Sequence, residues 1–238
     1  MIRLDKFLSD INLGTRSEVK NLIKKGLIKV NDVVIKDPDT KIDEKTSIIV
    51  KDGVEYTYER YHYFLLNKPS GVVSANTDSK SKTVIDLFNE ITGHIYKDEY
   101  FCCGRLDIDT TGLLLITNDG ALTHKVLSPK YHVDKTYKVT CKYPVSKEDK
   151  VKLEAGVDIG EGYISKPAKV TDCALDNEIF LTIHEGKFHQ VKRMIKAIDN
   201  EVAALKRISF GSLILPDDLP EGKLIELTSE QIEELKNV

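Results

Sequence analysis

The run Gly104-Arg105-Leu106-Asp107-Ile108-Asp109-Thr110-Thr111-Gly112, continued by four large aliphatics from Leu113 to Ile116 and by the turn signal Asn118-Asp119-Gly120, constrains the fold more than any other stretch. A short apolar run bounded by Gly and by Asn-Asp-Gly reads as a buried strand. The polar cluster Arg105, Asp107, Asp109, Thr110 and Thr111 then falls in a loop at the start of a core strand. Charged loops fixed to rigid core elements are where catalytic groups are usually held. The same residues also suit a solvated turn in which Asp and Thr bond their own backbone, and the rest of the chain has to decide between the two.

The chain is long enough, at 238 residues with 41% hydrophobic, for one large domain or two unequal ones. A net charge of -3 with 31% charged residues predicts a soluble globular protein. No apolar run reaches membrane-spanning length, and Met1-Ile2-Arg3-Leu4-Asp5 does not open a signal peptide, so no membrane association is expected. Cys102, Cys103, Cys141 and Cys173 lack Cys-x-x-Cys spacing and read as reduced core thiols of a cytoplasmic protein.

Residues 1–58 read as a separate small module. Leu4, Phe7, Leu8 and Ile11 mark one face of a short helix, stopped by Asn12-Leu13-Gly14. Thr15 with Glu18 is a capping box opening a second helix, whose apolar face is Val19, Leu22 and Ile23 and which Gly26 closes. Asn31-Asp32 between two apolar runs signals a hairpin. Arg16, Lys20 and Lys24 form a basic stripe along the second helix, which suits either a solvated face or a surface that tracks phosphates. Residues 1–36 hold eight Lys/Arg against four Asp/Glu, while residues 37–58 hold three against six, so the module is polarised.

After a polar boundary from Asp52 to Arg60, Tyr63 to Leu66 reads as a buried strand ended by Asn67-Lys68-Pro69-Ser70-Gly71. A polar loop from Asn76 to Lys82 precedes a short helix marked by Val84, Leu87, Phe88 and Ile91 and ending at Gly93. Lys135 to Cys141, Ile179 to Ile183, Ile208 to Leu215 and Lys223 to Leu227 read as strands. Lys150 to Ala155 reads as a helical turn. Val191, Met194, Ile195 and Ile198 lie on one face of another helix, and Thr228 with Gln231 caps a last one. The irregular alternation predicts an α+β fold with a mixed, largely antiparallel sheet in residues 59–238. There is no Walker loop, dinucleotide fingerprint or nucleophile elbow. His62, His94, His124, His132, His184 and His189 show no metal spacing with the cysteines, so a structural zinc is not expected. Carboxylates, Tyr137 and the basic cluster Lys187–Lys196 remain as chemical candidates.

The N-terminal pattern resembles the small RNA-binding domain named after ribosomal protein S4. Four further blocks, in order, resemble the pseudouridine synthase family and its RsuA branch. They are Asn67-Lys68-Pro69-x-Gly71, Gly104-Arg105-Leu106-Asp107-x-x-Thr110-x-Gly112-Leu113, Lys135-Thr136-Tyr137-x-Val139 and Glu185-Gly186-Lys187-x-His189-Gln190-Val191-Lys192-Arg193-Met194. The resemblance implies isomerisation of a uridine to pseudouridine in RNA, a reaction that requires no redox group, metal or other cofactor, and the residues after Asp107 look most like the members acting on small-subunit (16S) ribosomal RNA. It makes Asp107 the catalytic carboxylate, Lys192 its basic partner and Tyr137 the aromatic stacked on the target base. Arg105 becomes the residue that assists nucleotide extrusion. Arg16, Lys20, Lys24, Lys187, His189, Gln190 and Arg193 complete the expected RNA-contacting set. Residues 59–238 carry a net charge of -4, so RNA binding must rest on the clusters Lys187–Lys196 and Lys206-Arg207 and on the N-terminal stripe. The implied partner is ribosomal RNA or a partly assembled small subunit, with the chain acting as a monomer. Large-subunit (23S) RNA as substrate and a non-catalytic RNA-binding assembly factor are the rival readings.

Overall fold

The structure is a computed structural model that describes residues 1–11, 13–44, 46–57, 61–93 and 99–237. Asn12, His94 and the end of the Asp52–Arg60 boundary lie outside them. The chain forms two compact units, Met1–His62 with Thr92–Glu99, and Tyr63–Ile91 with Tyr100–Val238. Among the described residues no helix is long and apolar enough to cross a membrane.

The first unit opens with β1 (Ile2–Arg3), α1 (Leu4–Asp10) and α2 (Arg16–Lys24). Strands β2 (Ile28–Val30), β3 (Val33–Ile35), β4 (Lys41–Ile42), β5 (Ile49–Lys51) and β6 (Val54–Tyr56) follow. The Thr15–Glu18 capping box forms as the sequence dictates, satisfying backbone donors at the start of α2. Asn31 and Asp32 both take positive φ, the conformation that lets a two-residue turn match strand twist. Leu4, Phe7, Leu8, Val19, Ile23, Ile28 and Ile49 make the core. The unit is larger than two helices and a hairpin, because β2 also pairs with β5, and β5 with β6. Those strands are only three residues long, too short to leave a periodic signal.

The second unit is built on a nine-stranded sheet. Its elements are β7 (Tyr63–Lys68), α3 (Val84–Thr92), β8 (Phe101–Cys103), β9 (Thr111–Thr117), α4 (Gly120–Leu127), β10 (Lys135–Cys141), α5 (Lys147–Ala155), β11 (Lys169–Asp172), β12 (Glu178–Ile183), α6 (Gln190–Lys196), β13 (Val202–Phe210), β14 (Leu213–Ile214), β15 (Leu224–Glu226) and α7 (Ser229–Lys236). The order is β11-β12-β10-β13-β9-β7-β15, with β14 on β13 and β8 on β9. Every pairing is antiparallel except β9 with β13. Leu113 and Leu115 of β9 pack with Leu122 and Val126 of α4 and Leu235 of α7. Leu114 and Ile116 face the other way, opposite Leu66 and Phe64 of β7, where Phe64, Phe88 and Tyr100 cluster with ring centroids 5.0–6.0 Å apart. A strand covered on both faces has no polar side to show, which is why its sequence is an unbroken apolar run.

Four readings change. Asn118-Asp119-Gly120 is a helix start rather than a plain turn: Asp119 caps α4 through Leu122 N (3.0 Å) and accepts from the Tyr63 hydroxyl (2.7 Å). Ile208–Leu215 is not one strand, because Gly211 turns the chain at φ +57° between β13 and β14. Asn67 and Lys68 belong to β7 and are buried, so the turn begins only at Pro69. Of the four thiols only Cys103 and Cys141 are buried; Cys102 and Cys173 are partly exposed.

Candidate active site

The Asp107 loop is braced from below. Gly112 lets β9 run close to β13: a Cβ there would stand 2.2 Å from the Arg207 carbonyl oxygen. Its φ of +101° also belongs to the region glycine favours. The buried Ser74 hydroxyl donates to Leu106 O (2.9 Å) and accepts from Leu106 N (3.1 Å). Lys68, 0% exposed, spends its ammonium on three backbone carbonyls, Pro69 (3.0 Å), Ile108 (3.3 Å) and Thr110 (2.9 Å). Burial lowers its pKa to about 8, against the pull of Asp109 and Asp107. The loop carrying both carboxylates is thus shaped by a cation beneath it.

Across the loop stands α6. Its apolar residues Val191, Met194 and Ile195 are buried, which leaves Lys192 beside the loop. The Lys192 ammonium reaches Asp109 at 2.6 and 2.9 Å and Asp107 at 3.2 Å. His189 Nε2 lies 3.6 Å from the other Asp107 oxygen. Burial opposes the Lys192 charge, but the bonds to Asp109 and Asp107 outweigh it and hold its pKa above the ordinary value. Lys192 in turn draws the Asp109 carboxyl below its ordinary value. Side-chain exposures of 27% for Lys192 and 28% for Asp107 place the pair half in water.

Tyr137 and Lys135 share a face of β10, two residues apart, and Tyr137 pairs with Arg207 of β13. A cavity of about 80 Å³ brings together Arg105, Asp107, Tyr137, Lys187, His189, Gln190 and Lys192. A larger one of about 780 Å³ also meets Arg105, Asp107 and Tyr137 and extends to Lys135, Lys166, Phe188 and Arg207. Asp107, Tyr137 and Lys192 therefore share one cleft. It offers a carboxylate, a cation on that carboxylate, a buried aromatic and a basic wall. Such a site suits covalent or acid–base work on an anionic substrate.

A family model described as RNA pseudouridylate synthase matches residues 62–197, and one described as S4 domain matches residues 2–48. The chain belongs to the RNA pseudouridine synthase family. It is 45% identical over 97% of its length to an uncharacterized RNA pseudouridine synthase of Bacillus subtilis, covering 97% of that protein. It is 40% identical to ribosomal small subunit pseudouridine synthase A of Vibrio cholerae, covering 97% of this chain and 98% of that one. It is also 40% identical to ribosomal large subunit pseudouridine synthase B of Bacillus subtilis, over 99% of this chain and 96% of that one. A solved pseudouridylate synthase superposes with a TM-score of 0.68 at 36% identity, covering 99% of this chain and 100% of that chain.

In this pseudouridine synthase the other expected RNA-contacting residues divide. Arg105, Lys187 and His189 are exposed at the cleft. Gln190 is buried and clamps its own loop, accepting from Lys187 N (3.0 Å) and donating to Glu185 (2.8 Å). Arg193 donates to the carbonyls of Ile159, Gly160 and Phe188. The pair Lys206-Arg207 is not a surface cluster: Arg207 is 2% exposed, gives its Nε–H to Leu113 O (2.8 Å), and leaves Nη2 without a partner among the described residues. On α2, Lys20 stands 3.7 Å from buried Asp5, which Arg3 already holds, while Arg16 and Lys24 are exposed. Sequence reasoning missed Lys68, Lys135 and Arg207, whose charge argued for a surface position. It placed Asp109 in the polar cluster but gave it no role, because its tie to Lys192 exists only in three dimensions.

Proposed function

We propose that this chain isomerises a uridine to pseudouridine in small-subunit (16S) ribosomal RNA, with Asp107 as the catalytic carboxylate. The observation that carries the reading is Lys192 set 3.2 Å from Asp107 in a cleft that Tyr137 and Arg105 also line. The N1–C1′ bond breaks, the uracil turns, and C5 joins C1′; N1 gains the proton that C5 gives up. Atoms and electrons balance without a redox group. Asp107 supplies the carboxylate, Lys192 keeps it charged, Tyr137 stacks on the flipped base, and Arg105 holds the extruded nucleotide. Lys187 and His189 contact the RNA, and Gln190 and Arg193 hold their loop in place. Residues 1–58, through Arg16 and Lys24 with Lys20, add an RNA anchor to the catalytic residues 59–238. The same reading has the chain working as a cytoplasmic monomer on naked ribosomal RNA or an assembling subunit.

Small-subunit synthases from several bacteria, including Haemophilus influenzae at 38% identity, support this substrate. The equal identity to a large-subunit synthase keeps 23S RNA as the alternative. Mapping pseudouridine in ribosomal RNA from cells with the wild-type chain, without it, or with Asp107→Asn decides. The expected result is one small-subunit site lost in the deletion and in Asp107→Asn, with the variant still folded. A site lost from large-subunit RNA would move the substrate, and full modification by Asp107→Asn would overturn the assignment.

A further inference from the structure

Phe188 is 69% exposed, yet it does not hang on a loose loop. Glu185 accepts from the Tyr163 hydroxyl, from Lys166 N (2.9 Å) and from Gln190 Nε2 (2.8 Å). Gln190 returns a bond to Lys187 N, and Arg193 Nη1 donates to Phe188 O (3.4 Å). The loop is therefore pinned at residues 185, 187, 188 and 190. His189 takes φ 48° and ψ 35°, a left-handed backbone uncommon outside glycine. That turn lays the Phe188 ring on the His189 imidazole, centroids 3.8 Å apart and planes 19° from parallel. One face of Phe188 is occupied by His189, which stands against Asp107. The ring also forms part of the wall of the 780 Å³ cavity, among Arg105, Lys166 and Lys187. Lys187 itself is held 4.4 Å over the Tyr163 ring.

Folding gains nothing from an apolar ring displayed at a cationic rim on a strained, hydrogen-bonded loop. Tyr137, buried deeper in the same cleft, is placed for the reacting base; Phe188 faces outward. We propose that Phe188 is a stacking platform for the unpaired nucleobase next to the reacting nucleotide, with Lys187 beside it for the connecting phosphate. The inference rests on the cleft being the RNA site. Stacking on an aromatic ring is sequence-tolerant, because every base has a π-face. Preorganisation of the loop keeps the ordering cost of binding low.

The test is fluorescence anisotropy of a labelled single-stranded oligoribonucleotide of about ten nucleotides, titrated with full-length Phe188→Ala, Phe188→Leu and Phe188→Trp across a salt series. The exposed position leaves all three folded, which thermal unfolding checks. Affinity is expected to fall about tenfold for both Ala and Leu and to stay within about twofold for Trp. The slope of affinity against salt stays unchanged, since no charge is removed. Wild-type affinity in Phe188→Leu would mean the ring is only apolar cover and overturns the proposal, as would no change in any variant or a flattened slope. If the wild type modifies no uridine in either ribosomal RNA but the stacking pattern holds, the proposed function falls and the platform stands.

Discussion

The floor and the mouth of the cleft both hold cations, and they use them differently. In the floor, Lys68 and Lys135 are buried and bind backbone carbonyls; Lys135 donates to Val133 O (2.7 Å), and Arg207 to Leu113 O (2.8 Å). At the mouth, Lys192 is half exposed and binds two carboxylates. A buried ammonium on neutral carbonyls loses more in hydration than those dipoles and the nearby carboxylates return, so its pKa falls; burial takes both floor lysines to about 8. A lysine on carboxylates stays firmly charged. The floor cations fix shape, and the mouth cation fixes charge.

The largest effect should come from the floor. Lys68→Met removes the side-chain donor that the Ile108 and Thr110 carbonyls share; Ile108 O keeps the Gly71 N–H (2.8 Å), while Thr110 O faces an apolar chain instead of an ammonium. We expect about 2–4 kcal/mol of lost stability, read from urea unfolding, and a matching loss of modification because the Asp107 loop is no longer held. An unchanged midpoint with full activity would break the division between shape and charge. The mouth should behave in the opposite way. Lys192→Ala should slow single-turnover modification by about a hundredfold while costing less than about 1 kcal/mol of stability, since the pair is half in water. Asp109 makes that small cost pH-dependent. Its carboxyl is held down by Lys192, so the pairing adds stability above the ordinary carboxylate value and is lost as pH falls through the lowered one. The wild-type advantage should therefore shrink on acidification, and Lys192→Arg should be the mildest replacement at that position. A normal saturated rate for Lys192→Ala would remove the charge role from the mouth.

The smallest effect is a slope. Between pH 8 and 9 folded Lys135 sheds a proton that the unfolded chain keeps up to 10.5, so this group makes stability rise with pH. Burial holds the Cys103 and Cys141 thiols up to about 11. They pull the other way only above their ordinary 9, which sets the upper end of the window. Urea midpoints of the wild type should rise across that unit more than those of Lys135→Met, by under about 1.4 kcal/mol. Equal slopes would show that Lys135 stays charged in the floor.

The sequence announced what local physics writes. Thr15 with Glu18, and Thr228 with Gln231, cap helices where their spacing says they should. The aliphatics of β9 announce a core strand, and Asp107 lands in the loop before it. Where two devices share one signal the reading went astray: Asp119 caps a helix with the same residues that make a turn. Where a residue breaks the usual rule of its type, nothing local warned of it. Lys68 and Arg207 are buried because carbonyls 40 or more positions away receive them. The Lys192–Asp109 bond spans 83 positions, and only the packing of α6 beside the loop creates it.

The parallel pairing of β9 with β13 puts the Asp107 loop on a schedule. Arg207 and Leu113, whose bond ties the two strands, stand 94 positions apart. At translation speeds of about 5–20 residues per second, roughly 5–20 seconds separate the synthesis of these partners. Throughout that interval a nascent chain already carries its carboxylates and a finished N-terminal unit, but it has no cleft to aim them with. The growing polypeptide can meet RNA before it can alter it.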